Sequence, residues 1–322
     1  METSKTKPAL DLLFVGPSHL FDEIRLASPS HWKIRFVESI GEFKSNPESV
    51  STILDASIRE IIDLSSWEFD QVIHIACDST GTNHIKINKM KSEFVKISSL
   101  RNIPEVLKNL TSAAEFSFGL LISLARQLVQ ASKSVELGEW NRSNFSGSIL
   151  KGKYLGIIGL GRIGSAMSKY GKAFGMHVGF FDPLVSASQT EVQKYFELNE
   201  LLAKSDFVSL HVPYLPDKSR SPILSKDHFS SFKQGSYFIN TSRGELIDEF
   251  GLISELESGR ILGAAVDVLS NEPDIKKNPL FLYSLKSKKN LIITPHIAGN
   301  SQENLRIAAL GMLAYVLSYR KG

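Results

Sequence analysis

Short apolar runs alternate with amphipathic segments along most of this chain. The apolar runs of the first third predict strands at residues 10–15, 33–37, 71–75 and 94–97. Helices are predicted between or beside them, at residues 21–26 and 51–63. Strands that alternate with helices in this way favour a parallel α/β sheet.

A longer amphipathic segment begins near Ser112. Ser112 and Glu115 have the spacing of a capping box, in which side chains satisfy the first backbone N–H groups of a helix. Phe116 and Leu120 then recur on one face, and the pattern predicts one helix that continues towards Glu136. Such a helix is either a hinge or dimer contact, or an ordinary core helix.

From residue 154 onward the alternation is regular. The apolar runs predict strands at residues 154–158, 177–181, 207–211, 236–240, 261–268 and 291–294. Helices are predicted between most of them, and one of these begins after Asp248 as its N-cap and ends at Gly259. Six strands with crossover helices predict a doubly wound sheet.

A glycine-rich loop follows the first strand of this second half. Gly159, Gly161 and Gly164 form a G-x-G-x-x-G between an apolar run and a helical run. The first glycine permits a tight turn, the second lets backbone N–H groups approach a pyrophosphate, and the third lets the helix pack closely. The helix N-terminus favours phosphate, and Asp182 ends the next strand, where it can accept hydrogen bonds from a ribose diol. The pattern predicts a dinucleotide site.

Composition narrows the function classes. The 322 residues suggest two domains, and 42% hydrophobic with 22% charged residues is typical of a globular enzyme. The net charge of +3 is too balanced to indicate nucleic-acid binding. No apolar run approaches a membrane span and the N-terminus lacks a signal-peptide pattern, so a cytoplasmic protein is expected. The single cysteine, Cys77, excludes an internal disulfide and a thiolate cluster; it is interpreted as a small buried hydrophobe, and no metal is expected.

Reactive side chains follow the predicted strands. Arg243, Glu272 and His296 each come shortly after a strand of the dinucleotide-binding half, and ligands of such sheets lie beyond the carboxyl ends of the strands. Hydride transfer to a keto acid needs a proton donor near neutral pKa, which histidine supplies. A carboxylate such as Glu272 would orient the imidazole, and Arg243 can hold a substrate carboxylate bidentately.

These stretches resemble the D-isomer-specific 2-hydroxyacid dehydrogenases. The motifs that carry the resemblance are residues 156–164, 239–248, 263–268 with 272–273, and 293–299. The resemblance implies that Arg243 binds substrate, that His296 is the acid/base and that Glu272 is its partner. It also implies an NAD site lined by Gly159, Gly161, Arg162, Ile163, Gly164, Asp182, Val212, Pro213, Thr241, Ser242 and Asp267.

The resemblance further implies two α/β domains with doubly wound parallel sheets. Residues 111–297 would form a Rossmann NAD-binding domain, and residues 1–110 with 298–322 a flavodoxin-like substrate domain. Homodimers through the helical region near residues 112–140 are expected. The chain ends too early for the regulatory domain of longer family members, so a short form is expected.

The family's first domain contributes a glycine-bearing substrate loop. Here the backbone N–H groups of Thr80 and Gly81 would hold the substrate carboxylate. The family often has Asp at the positions of Asn83 and Lys86, so the pocket for the rest of the substrate differs at this loop.

The sequence thus predicts an NAD-dependent oxidoreductase that acts on a small 2-hydroxy or 2-keto acid. NAD is favoured over NADP because a carboxylate at Asp182 would repel a 2′-phosphate. One alternative is an NAD(H)-sensing interaction protein with little turnover, although a sensor need not keep Arg243, Glu272 and His296. Another is a relative that acts on formate or phosphite, although a glutamate partner for the histidine favours 2-hydroxy acids.

Overall fold

The chain divides into two compact units. Unit 1 comprises Met1–Leu110 and Asn300–Gly322, and unit 2 comprises Thr111–Gly299. The computed structural model describes residues 9–57, 60–65, 69–82, 84–87, 93–214, 222–287 and 289–319. Among these residues, no helix combines the length and the apolar character that crossing a bilayer requires.

Unit 1 is built on a five-stranded parallel sheet. The strands of the unit are β1 (Leu12–Val15), β2 (Ile34–Val37), β3 (Thr52–Asp55), β4 (Ile62–Asp63), β5 (His74–Cys77), β6 (Ile85–Lys86) and β7 (Lys96–Ser98). The main sheet has the order β2-β1-β3-β5-β7, and β4 pairs with β6 in a separate small sheet. Counted over the main sheet alone, this is the 2-1-3-4-5 order of flavodoxin-like domains.

Both faces of this sheet are buried, as parallel sheets require. Along β1, Leu12 and Phe14 belong to one apolar cluster, and Leu13 and Val15 belong to another on the opposite face. The helices of unit 1 are α1 (Phe21–Ala27), α2 (Ile40–Ser45), α3 (Pro104–Leu107) and α11 (Gln302–Tyr319), with short 3-10 helices at Ser18–Leu20 and Leu100–Asn102. Helix α11 comes from the end of the chain and supplies Met312 and other residues to the first cluster.

The predicted helix at residues 51–63 is wrong. Its first part is the strand β3, whose four residues are all buried between β1 and β5. A strand that is buried on both faces has no alternation of apolar and polar residues, so periodicity alone cannot distinguish it from a helix segment. The predicted strand at 71–75 lies a little further along, at His74–Cys77.

Unit 2 is built on a seven-stranded parallel sheet. Its strands are β8 (Tyr154–Ile158), β9 (His177–Phe181), β10 (Gln193–Lys194), β11 (Phe207–Leu210), β12 (Ser236–Asn240), β13 (Ile261–Val266) and β14 (Asn290–Ile293). The order is β10-β9-β8-β11-β12-β13-β14, which contains the 3-2-1-4-5-6 order of the Rossmann fold. The predicted fold class is therefore confirmed, and the short edge strand β10 is an addition to the six strands predicted.

Helices cover both faces of this sheet. They are α4 (Ser112–Arg126), α5 (Leu128–Glu136), α6 (Arg162–Ala173), α7 (Leu198–Lys204), α8 (Lys226–Ser230), α9 (Glu249–Ser258) and α10 (Pro279–Ser284), with 3-10 helices at Arg142–Asn144, Ala187–Gln189 and Gly244–Leu246. Helix α9 begins and ends as predicted. The Asp248 side chain accepts a hydrogen bond from the backbone N–H of Gly251, and Gly259 closes the helix with a φ of 77°.

The single long helix predicted after Ser112 is instead two helices. Gln127 has a left-handed φ of 52° and separates α4 from α5. The capping box is also absent, because Ser112 is the first helical residue and its hydroxyl donates to the carbonyl of Ala298 at 2.8 Å. The Ser112 hydroxyl, which the sequence pattern predicts to cap the helix, therefore makes a tertiary contact with Ala298 instead.

Candidate active site

Two glycines of the loop after β8, Gly159 and Gly164, are packed so tightly that a side chain is excluded at each position. Gly159 has a φ of 89°, and a Cβ there would lie 2.6 Å from the carbonyl oxygen of His211 and 2.7 Å from the Val212 side chain. A Cβ on Gly164 would lie 2.1 Å from the carbonyl oxygen of Gly159. The loop therefore turns sharply out of the strand and lies directly against the end of β11, where Val212 and the exposed Pro213 follow.

The N-terminus of α6 is suited to bind a pyrophosphate. Gly161 is its N-cap and has no side chain to occupy the first N–H groups. Among the described residues, a Cβ on Gly161 would meet no atom within 4 Å, so the approach to these N–H groups is open on that side. Arg162 and Ile163 form the first turn, and both are partly buried.

Asp182 connects the end of β9 to the glycine loop. Its Oδ2 accepts the backbone N–H of Leu160 at 2.9 Å, and its Oδ1 accepts that of Leu184 at 2.8 Å. Each carboxylate oxygen has a second lone pair, so the group can still accept from a ribose hydroxyl. Together with the open helix N-terminus, this geometry fits a dinucleotide.

The turn after β12 carries Thr241, Ser242 and Arg243. The Thr241 hydroxyl lies 2.7 Å from the hydroxyl of Ser117 on α4, and the Ser242 hydroxyl donates to the carbonyl of Leu210 at 2.8 Å. These bonds tie the turn to a helix and to the neighbouring strand.

Asn240 shapes the same turn, although sequence reasoning gave it no role. Its Oδ1 accepts the backbone N–H of Ser242 at 2.9 Å, and its Nδ2 donates to the carbonyl of Arg243 at 2.9 Å. Nη1 of Arg243 donates to the carbonyl of Ser242 at 2.6 Å, and the side chain is partly buried. The buried amide therefore fixes the backbone from which the guanidinium extends.

His296 and Glu272 form a hydrogen-bonded pair. Nδ1 of His296 lies 2.9 Å from Oε1 and 2.7 Å from Oε2 of Glu272. Both side chains are largely but not fully buried, with exposed fractions of 16% and 25%. A carboxylate at Nδ1 orients the ring, which leaves Nε2 as the atom for proton exchange with a ligand.

Asp267 organises the loop that carries His296. Its carboxylate accepts hydrogen bonds from the Thr294 hydroxyl at 2.5 Å and from the backbone N–H groups of Ile297 and Ala298 at 2.9 and 2.8 Å. His296 itself has a positive φ of 56°, and its N–H donates to the carbonyl of Asp267 at 2.9 Å. Non-glycine residues held in this conformation cluster at functional sites.

The residues Arg243, Glu272 and His296 belong to one edge of the sheet. They follow β12, β13 and β14, which are neighbours in parallel register. Gly244 packs so closely on the next segment that a Cβ would lie 2.1 Å from the carbonyl carbon of Leu269. The turn that carries Arg243 therefore contacts the segment that leads to Glu272.

A buried carboxylate that sequence reasoning missed anchors this segment. Glu249 accepts hydrogen bonds from the backbone and side chain of Ser270 and from the side chain of Asn278. The sequence alone gives no clear sign of this bond, because Asn278 before Pro279 has the pattern of a helix N-cap. Asn278 is indeed the N-cap of α10, in addition to its bond with Glu249.

The predicted substrate loop of unit 1 lies beyond the end of β5. Thr80 and Gly81 are partly buried, and the Ser79 hydroxyl donates to the carbonyl of Gly81 at 2.6 Å. Lys86 is exposed on β6, and Asn83 lies outside the described residues.

A Rossmann sheet and a glycine loop that leads into an open helix N-terminus define unit 2 as a dinucleotide-binding domain. Residues 118–298 match the model of the NAD-binding domain of D-isomer-specific 2-hydroxyacid dehydrogenases. This chain belongs to that family, and NAD is the cofactor of its second unit.

Relatives and solved structures agree with this assignment. A D-3-phosphoglycerate dehydrogenase of Methanocaldococcus jannaschii is 40% identical over 305 residues, which are 89% of this chain and 55% of the relative. The chain thus spans about half the length of the curated relatives it matches. A D-lactate dehydrogenase of Aquifex aeolicus, solved with NAD and lactic acid, is 26% identical with a TM-score of 0.76 and coverage of 97% and 96%. The apo D-lactate dehydrogenase of Escherichia coli is 25% identical, with a TM-score of 0.78 and coverage of 97% and 98%.

Proposed function

We propose that this protein is an NAD-dependent dehydrogenase that interconverts a small 2-keto acid and its D-2-hydroxy acid. The observation that carries the proposal is the His296–Glu272 hydrogen bond at the edge of the Rossmann sheet, next to the turn of Arg243. A hydrogen-bonded imidazole–carboxylate pair, in a dinucleotide-binding domain, supplies the acid–base step that carbonyl reduction needs.

Each residue has a distinct role in this proposal. NADH, when bound, supplies the hydride. His296, oriented by Glu272, donates the proton from Nε2 to the carbonyl oxygen, and in the reverse direction it accepts the hydroxyl proton there. Arg243 holds the substrate carboxylate through paired N–H groups, for which its planar guanidinium is suited.

The substrate class follows from the same residues. The relatives are named for D-3-phosphoglycerate and D-lactate, and both compounds carry a carboxylate next to the reacting carbon. In this proposal Arg243 binds the carboxylate and His296 acts on the oxygen of the reacting carbon, and neither residue selects the rest of the molecule. We therefore propose a 2-hydroxy acid as the substrate class and leave its remaining substituent open. The role of Thr80 and Gly81 as carboxylate-binding amides stays a prediction from the family resemblance.

The proposal extends to a cytoplasmic homodimer. Leu137 and Trp140, which follow α5, are 80% and 91% exposed, and Val135 and Leu128 of the same region are about half exposed. Exposed apolar groups in such a cluster are typical of a protein interface. A second copy of this chain would cover them.

A sensor of NAD(H) with little turnover is the competing function. It would need the glycine loop and Asp182, but it would not need Nδ1 of His296 to be bonded to a carboxylate. The bonded pair therefore favours the enzyme.

The loss of NADH absorbance in the presence of glyoxylate, pyruvate, hydroxypyruvate and its 3-phosphate tests the proposal. We expect turnover with at least one acid, and we expect His296→Gln to lower kcat by about 10²–10⁴-fold while calorimetry shows NADH binding retained. The exposed His31 is the matched control, and His31→Gln should leave kcat unchanged. Equal kcat values in the His296→Gln variant and the wild type would refute the role of His296, and NADH binding without turnover on any acid would favour the sensor.

A further inference from the structure

A second cluster of reactive side chains lies in unit 1, outside the site described above. Asp55 ends β3 and Cys77 ends β5, and the two residues are direct partners in the parallel register. Nε2 of His84 lies 2.7 Å from Oδ2 of Asp55. One ligand atom from each of Asp55, Cys77 and His84 lies within 4.8 Å of the other two.

The cluster is shielded from water. The side chains of His84 and Asp55 are 7% and 3% exposed, and Cys77 is fully buried. Exposed acidic groups often come together without binding an ion, but here Asp55 and Cys77 lie at the carboxyl ends of two paired strands of the main sheet, and His84 directly precedes β6. The sheet therefore sets the positions of Asp55 and Cys77, and the bond to Asp55 holds His84.

The cluster has the donor set of a transition-metal site. Thiolate, imidazole and carboxylate are the ligands that Zn²⁺ takes in proteins, with bond lengths of about 2.0–2.3 Å. Tetrahedral ligands at those lengths are about 3.3–3.8 Å apart, so Asp55 and His84 would need to separate only slightly. Calcium and magnesium prefer all-oxygen sites and suit this donor set poorly.

The electrostatic surroundings favour a cation. The Oδ2 atom of the neighbouring Asp78 is buried and has no hydrogen-bond partner among the described residues. A coordinating thiol loses its proton, so a bound divalent ion would convert Cys77 to its thiolate.

We propose that Asp55, Cys77 and His84 bind a thiophilic divalent cation of the zinc class. The thiol proton leaves to solvent when the Cys77–metal bond forms, and the imidazole coordinates as its neutral form. The sequence expectation of no metal was argued from thiolate clusters, which one cysteine cannot build, whereas this site mixes three ligand types. Cys77 and His84 flank the loop that contains Thr80 and Gly81, so the ion would fix both ends of that loop.

Cobalt(II) is the probe of choice, because its thiolate complexes absorb in the near ultraviolet and zinc itself is silent. The protein is titrated with cobalt chloride, and zinc is then added in competition. Cys77 is the only cysteine in the chain, so a thiolate-to-cobalt band reports this residue alone. We expect one equivalent to bind with that band, and zinc to displace it.

Variants assign the remaining ligand and control for unfolding. His84→Gln should weaken cobalt affinity by at least about tenfold, and His31→Gln, at an exposed histidine, should not change it. Cys77→Ser should abolish the thiolate band, and if that variant does not fold, the wild-type spectrum and His84→Gln decide the question. Binding without a thiolate band, no binding, or an unchanged affinity in His84→Gln would overturn the proposal. The measurement uses neither NADH nor substrate, so it is independent of the proposed dehydrogenase function.

Discussion

Asn278 donates its side-chain amide to both carboxylate oxygens of Glu249, at 2.9 and 2.7 Å. Ser270 adds its backbone N–H at 2.9 Å and its hydroxyl at 3.0 Å. Glu272 lies in the segment between Ser270 and Asn278, so a buried carboxylate on α9 holds both ends of the segment that presents the partner of His296.

Removal of the Glu249 carboxylate should therefore affect both stability and turnover. In Glu249→Ala, the donors of Ser270 and Asn278 lose their acceptor, and each buried unsatisfied group costs about 1–3 kcal/mol. We expect a lower free energy of unfolding in urea and a lower kcat, with a smaller loss of both in Glu249→Gln, which keeps one oxygen acceptor. Glu245→Ala, at an exposed glutamate nearby, is the control. A Glu249→Ala variant as stable and active as Glu245→Ala would contradict the anchoring role.

Gly244 provides a steric test of the same region. An alanine Cβ at Gly244 would lie 2.1 Å from the carbonyl carbon of Leu269 and 2.2 Å from the nitrogen of Ser270, and backbone cannot move aside cheaply. We expect Gly244→Ala to lower the thermal midpoint and to reduce kcat. Gly119 is the matched comparison, because it lies exposed within α4 and its Cβ would meet no described atom within 4 Å. Gly119→Ala should stabilise the protein by about 0.5–1 kcal/mol, and similar effects of the two substitutions would argue against the close approach.

Asp182 should determine the preference for NADH over NADPH. Asp182→Ala removes the acceptor for a ribose diol and the charge that repels a 2′-phosphate. The affinity for NADH should therefore fall, and the difference between the affinities for NADH and NADPH should become smaller. Asp182→Asn keeps an oxygen that can accept from Leu160 or Leu184 but removes the charge, and it separates these two effects. Calorimetric affinities for both cofactors provide the measurement. An unchanged ratio of the two affinities in both variants would exclude Asp182 as the discriminating residue.

His211 should make the protein sensitive to mild acid. Burial lowers the pKa of His211 from 6.5 to about 3, while its Nε2 is bonded to the Ser209 hydroxyl. The unfolded chain therefore binds a proton below pH 6.5 that the folded chain does not, and stability falls as the pH decreases from 6.5 towards 3. Each pH unit within that window costs about 1.4 kcal/mol.

Urea unfolding between pH 7.5 and 5 measures this loss. We expect His211→Gln, which has no titrating group, to be less stable at neutral pH because of altered packing, but to lose about 2 kcal/mol less than the wild type on acidification to pH 5. Parallel pH profiles for the two proteins would show that His211 does not carry the effect.

The predictions that succeeded rest on local patterns. The strands at residues 154–158, 177–181 and 236–240 were predicted with the bounds that the structure has, because each apolar run is short and ends at a turn residue. The N-cap Asp248 and the terminal Gly259 of α9 were equally readable, because capping depends on bonds within one helical turn.

The predictions that failed rest on contacts between distant parts of the chain. Strand β3 resembles a helix segment in sequence because it is buried on both faces, and that burial depends on β1 and β5 beside it. The use of the Ser112 hydroxyl by Ala298 likewise depends on tertiary packing.

By itself, the sequence determined the doubly wound α/β class, the glycine loop and the set of Arg243, Glu272 and His296 past three strand ends. Only the tertiary structure decided what holds that set, because hydrogen bonds to buried carboxylates join residues far apart in the chain. Asp267 holds the loop of His296 through a donor 31 residues further along the chain. Glu249 holds the segment of Glu272 through a donor 29 residues further along. Local residue spacing determines which helices and strands form. The hydrogen-bond donors of a buried carboxylate depend instead on which distant residues the fold brings within 3 Å of it.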